Sequence, residues 1–191
     1  TLAGNSNNIA STPKAKRTRV YQELACIAVD CGVLYFLTQD ESYARCAADI
    51  LNVFVEALVQ AEPNADPFNG GWIYAGDHLY EARVVGAQLP IVYDLVAGYL
   101  AKGGLVHHLG TGERVPFKFE NAQQVFRIYA ELAMNRGITD CNWPVLEMAS
   151  LAHNLLALDD PQERQLWLKR LIDEDSEHQD SLSKVMETFA N

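Results

Sequence analysis

An all-α fold is the class this sequence predicts, on three observations. Apolar residues recur at three- and four-residue steps along seven separate stretches, the spacing of a helix with one buried face. No stretch alternates convincingly with the two-residue period of a strand. The segment from Val145 to Leu158 is apolar nearly all round, as expected of a helix enclosed by neighbours in concentric layers.

The elements follow in order. Residues 1–16 are polar and of low complexity, and read as a linker or flexible lead; 17–191 form one domain or a large part of one. A first helix runs from about Arg17 to Thr38, with Val20, Leu24, Ile27, Cys31 and Leu34 as its stripe. A second runs from Glu41 to Glu62, capped by Asp40, with Tyr43, Ala47, Ile50, Phe54 and Leu58 in line. Pro63 to Gly76 is dense in Pro, Asn and Gly and reads as a loop with exposed aromatics. A third helix covers Asp77 to Lys102, with Pro90 expected to kink it. Residues 103–118 break the helical period, as an irregular excursion or a small hairpin. Helices resume over 120–136, 144–158, 161–172 and 176–190.

With 191 residues, 49% of them hydrophobic, the chain has the material for a core without disulfide or metal. Its formal charge of −10 argues against broad neutralisation of phosphate, so nucleic acid is a poor partner. No apolar run is expected to approach the ~20 residues of a membrane span, and a soluble chain is expected. Cys26, Cys31, Cys46 and Cys141 lack metal-ligand spacing and are expected to be buried and unbridged. Cys26 and Cys31 point different ways on one helix, and the others sit on separate stripes. Neither a metal nor a cofactor is expected. Serine-hydrolase, P-loop, dinucleotide and zincin motifs do not occur.

The chemistry concentrates in Gly137 to Asp160, where a short polar turn delivers Asn142 and Trp143 to the mouth of a helix. An amide beside an aromatic face suits a uronic-acid sugar. The amide neutralises the carboxylate so that the C5 proton becomes removable, and the indole stacks on the ring. The plainer alternative makes Asn142 a helix cap and Trp143 a core plug. Trp72 and Tyr74 are further stacking candidates. His78, Arg83 and Arg136 are candidates to hold a sugar or its carboxylate, although Arg83 also suits a solvated helix start and Arg136 a helix C-terminus. His107 and His108 read as a surface loop, His153 as a satisfied core residue, and Asp173 to Asp180 as a solvated turn. A hydrolase would need paired carboxylates across a cleft, for which Glu81, Asp140 and Glu147 are the loose candidates.

The Asn142–Trp143 pair opening a helix, together with DHLYEARVVGAQLPIVYDLV at Asp77 to Val96, resembles the (α/α) toroid of heparinase II/III-like and alginate-lyase-like polysaccharide lyases. The similarity spans roughly Tyr21 to Ala190. It implies an incomplete toroid of antiparallel helical hairpins and β-elimination on an acidic polysaccharide, with Asn142 neutralising the C5 carboxylate. It also implies a periplasmic or secreted location. Many relatives carry histidine after the asparagine, where this chain has Trp143. The family's catalytic tyrosine lies in a glycine-rich motif beyond the asparagine. Tyr74, Tyr80, Tyr93 and Tyr129 all precede Asn142, so the tyrosine is expected on further sequence, with the rest of the toroid and a β-sandwich as partners. The 191 residues alone are then expected to be inactive. The rivals are a glycoside hydrolase on a similar toroid and a non-catalytic helical scaffold.

Overall fold

The computed structural model describes residues 13–65, 71–74, 78–136, 139 and 142–190. Within them the chain is mostly helical: α1 (Pro13–Thr38), α2 (Glu41–Gln60), α3 (His78–Glu81), a π-helical turn (Ala82–Gly86), α4 (Gln88–Ala101), α5 (Phe119–Asn135), α6 (Trp143–Leu156), α7 (Pro161–Asp173) and α8 (Leu182–Ala190). The expected excursion after α4 is a hairpin, in which β1 (Leu105–His107) pairs antiparallel with β2 (Arg114–Pro116). Asp49 and Asn52 of α2 dock it. Asp49 accepts from the His107 amide at 2.8 Å and from Arg114 at 2.6 Å, while Asn52 Nδ2 donates to the His107 carbonyl at 3.0 Å.

Helices α1, α2 and α4 pack mutually, α5 lies on α2 and α6, and the π turn lies against α6. Only Gln39 and Asp40 separate α1 from α2, so the two return alongside each other. Gln39 takes the left-handed conformation (φ 59°) in which helices commonly stop, and its amide donates to the Tyr35 carbonyl. Asp40 then caps α2 by accepting from the Ser42 amide at 2.9 Å, as the sequence predicts.

Several helical faces differ from expectation. Val20, Ile27 and Leu34 of the anticipated α1 stripe are exposed at 48%, 46% and 39%, whereas Ala25 and Ala28 are buried. Small side chains line the α1–α2 seam because Ala44, Ala47 and Ala48 face them from α2. Contrary to the expectation that no apolar run approaches a membrane span, Arg17–Thr38 is long and apolar enough, by length and composition, to cross a membrane. One side of it packs on α2 and α4. The expected single helix is interrupted just before Pro90, which has no N–H to donate to the Gly86 carbonyl four residues back. It occupies the first turn of α4, and the π turn ends at Gly86, the residue whose helical donor it removes. Helix α6 is not enclosed all round, since Val145 and Leu156 are exposed while Leu151 and Leu155 are buried.

Candidate functional site

The candidate residues fall into two groups. The first surrounds Glu81, whose carboxylate is fully buried. Its Oε2 accepts three consecutive backbone amides, from Trp72 (2.8 Å), Ile73 (2.7 Å) and Tyr74 (2.7 Å). Its Oε1 accepts the Tyr129 hydroxyl at 2.8 Å. Burial pushes the Glu81 carboxyl above its ordinary range, and the four donors oppose that shift. Tyr129 reaches Glu81 because Gly86 of the π turn offers no side chain. A Cβ there would stand 3.0 Å from the tyrosine ring. On the far side, Asn154 of α6 donates to the Gly86 carbonyl at 3.0 Å. A run of donors and acceptors thus ties the 71–74 segment, α3, α5 and α6 together.

This arrangement corrects the reading of the aromatics. Trp72 and Tyr74 are buried, 8% and 6% exposed, and belong to the core rather than to a stacking surface. Trp72 packs edge-on against Tyr129 at 5.5 Å and donates its indole N–H to the Ala61 carbonyl; Tyr74 donates its hydroxyl to the Thr18 carbonyl. Their loop position suggested exposure, but the Glu81 carboxylate collects the loop amides and draws the segment inward. Arg83 is exposed, with its guanidinium 5.9 Å from the centre of the Tyr80 ring, and does not pair with Glu81 as a local ion pair would require. Arg136 ends α5 and donates to the Asn64 carbonyl, so it braces the 61–65 segment. His78 opens α3, and its side chain lies outside the described residues.

The second group is at the start of α6. Asn142 stands at the N-cap position, is exposed, and makes no side-chain cap bond, so the plain capping role is absent. Trp143 is half-buried and Pro144 follows in the first turn. Asn142 lines a cavity of about 280 Å³ with Pro144, Val145, Asp180, Lys184 and Val185. Lys184 lies one turn beyond Asp180 and donates to its carboxylate at 2.6 Å. The residues that sequence reasoning missed here are Lys184 and Asp180. The acidic run before α8 is solvated at first, but Gln179, Asp180 and Ser181 are buried. Ser181 caps α8 by accepting from the Lys184 amide, and a serine three residues before that lysine was the available signal.

Elsewhere, His153 is half-buried beside Pro90 and Asp94, and its buried Nδ1 has no hydrogen-bond partner, so it is not a satisfied core histidine. His108 contacts Thr111 and lies 3.7 Å from Glu56 in the hairpin loop. Among the described residues no cluster of His, Cys, Asp and Glu suits a metal. Glu81 and Glu147 are buried, so neither faces a cleft, and Asp140, like Cys141, lies outside the described residues. The hydroxyls of Tyr74, Tyr93 and Tyr129 are engaged by Thr18, Asp159 and Glu81 respectively, and burial pushes all three pKa values well up. None of them is a ready proton donor.

Comparison with known proteins gives one informative relationship. Over 163 residues, 81% of this chain, the sequence is 25% identical to an endo-acting ulvan lyase of Formosa agariphila. The matched stretch is 19% of that protein, so the chain spans less than a fifth of its relative's length. No family model matches the chain, and no solved structure matches it. The relationship is therefore to a polysaccharide lyase in general, without singling out the heparinase-like or alginate-lyase-like branch.

Proposed function

We propose that this chain is part of a polysaccharide lyase that cleaves a uronic-acid-containing polymer by β-elimination, with α6 and α8 forming one wall of the sugar site. The similarity to the endo-acting ulvan lyase carries this reading. The start of α6 supports it: the Asn142 amide is exposed, is not spent on a cap, and borders a cavity with a cation on the facing helix.

In this reading the Asn142 amide donates to the sugar's C5 carboxylate. The N-terminus of α6 favours the same negative charge. As the C5 proton leaves to a base, charge moves onto the carboxylate and the amide bond strengthens. The C5–H electrons then form the C4=C5 double bond, the C4–O4 bond breaks, and an acid returns a proton to O4. Base and acid are assigned to parts of the enzyme outside these residues, because the tyrosines buried here are already engaged. Trp143 is kept as the stacking face, with Arg83 and His78 as contacts for a neighbouring sugar. Trp72 and Tyr74 are withdrawn from that role, and Arg136 acts through the loop it braces.

The test is a product assay on the intact enzyme with ulvan, alginate and a glycosaminoglycan as substrates. Elimination yields unsaturated ends that absorb in the ultraviolet. New reducing ends without that absorbance would replace the lyase reading with hydrolysis, and no cleavage of any polymer would leave a binding scaffold.

A further inference from the structure

We propose that Cys31 and Cys46 are a disulfide-forming pair that locks α1 to α2 under oxidising conditions. In the structure both are thiols, with their sulfurs 2.9 Å apart. That is within about 0.9 Å of the covalent S–S length of roughly 2.0 Å. The closeness follows from the hairpin. In two antiparallel helices, positions equidistant from the turn face each other, and these cysteines lie eight residues before Gln39 and seven after it. The buried alanines 25, 28, 44, 47 and 48 allow the helix axes to approach, which seats the two sulfurs against each other. Both cysteines are half-buried, so a small oxidant has partial access.

The oxidant is a small-molecule disulfide such as oxidised glutathione. One cysteine thiolate attacks it, forming a mixed disulfide and releasing one glutathione thiolate. The second cysteine, on losing its proton, attacks the protein-side sulfur, and the S–S bond forms as the second glutathione leaves. Two protein thiols are oxidised and one external disulfide is reduced. Burial, with Cys46 and Asp30 nearby, pushes the Cys31 thiol up to about 12. Closure is therefore slow at neutral pH and faster in mild alkali, the behaviour of a structural crosslink rather than an exchange catalyst.

The experiment treats the full chain with oxidised glutathione at mildly alkaline pH, or with dithiothreitol, then alkylates it in denaturant and maps the peptides by mass. The expected result is a Cys31–Cys46 linked peptide pair in the oxidised sample alone. A loop of this length should raise the melting temperature by about 6 to 12 °C. That rise should be lost in Cys31→Ser and Cys46→Ser and kept in Cys26→Ser, whose native cysteine is exposed. Mapping needs only the native chain, so a variant that misfolds does not spoil the test. Cys31 and Cys46 both alkylated after oxidation, or either one joined to Cys26, Cys141 or a second molecule, would overturn the proposal.

Discussion

Replacing Glu81 isolates the interaction that holds the 71–74 segment. In Glu81→Ala, three backbone amides and the Tyr129 hydroxyl lose their acceptor inside the core. A single buried orphan donor costs about 1–3 kcal/mol, and because the loop relaxes toward water the four together should cost about 3–5 kcal/mol. For a domain of this size that lowers the melting temperature by roughly 6–20 °C. Glu81→Gln keeps one oxygen for the three amides, and the Tyr129 hydroxyl can rotate to accept from the new amide. The second N–H of that amide gains no acceptor, which costs about 1–2 kcal/mol. The pH dependence has a definite sign. The folded carboxyl binds its proton more tightly than the unfolded one, so its stabilising contribution is complete below about 4.5 and is lost as pH rises through the raised folded value. The native chain should therefore lose stability across that window while Glu81→Gln does not, narrowing the gap between them. Thermal unfolding followed by circular dichroism reads both effects. A Glu81→Ala chain melting within 2 °C of the native chain, or a glutamine variant as damaged as the alanine one, would refute the reasoning.

Three further outcomes are expected. Asn142→Ala in the intact enzyme should lower turnover about a hundredfold or more. It should scarcely move the melting temperature, since no cap bond is lost; a large drop in stability with full activity would return the residue to a structural role. Gly86→Ala places a Cβ 3.0 Å from the Tyr129 ring and should cost about 1–3 kcal/mol in a urea melt, by displacing the hydroxyl from Glu81. The 191-residue chain alone should release no unsaturated ends from ulvan or alginate, as measured by ultraviolet absorbance.

Helix existence was legible in the sequence because periodicity reports a repeating environment, and Asp40 was legible because capping is local. The facing of α1 was not. Its large apolar residues trace a convincing stripe, yet the core selects the alanine side, since α2 presents alanines that only another small surface can approach. The Cys31–Cys46 contact was missed for a related reason: treating each helix as its own stripe ignores the register that a two-residue turn imposes. Trp72 and Tyr74 were misread because loop composition says nothing of a carboxylate nine and seven residues later. Asn142 could be singled out by its place before Trp143 and Pro144, whereas Lys184, across the cavity, is forty-two residues away and has no local signature.

The outward side of α1 carries Val20, Ile27, Leu34 and Leu37, the first three at seven-residue spacing, all exposed. Contact made on such a stripe draws its free energy from released water rather than from paired charge. Its signature would be a negative heat-capacity change, tightening on warming from the cold and in sulfate, with little response to moderate sodium chloride. The acidic chain as a whole should respond to salt in the opposite way, through screening of its own repulsion. Temperature and salt would thus report on different features, the apolar stripe of α1 and the net charge of the chain.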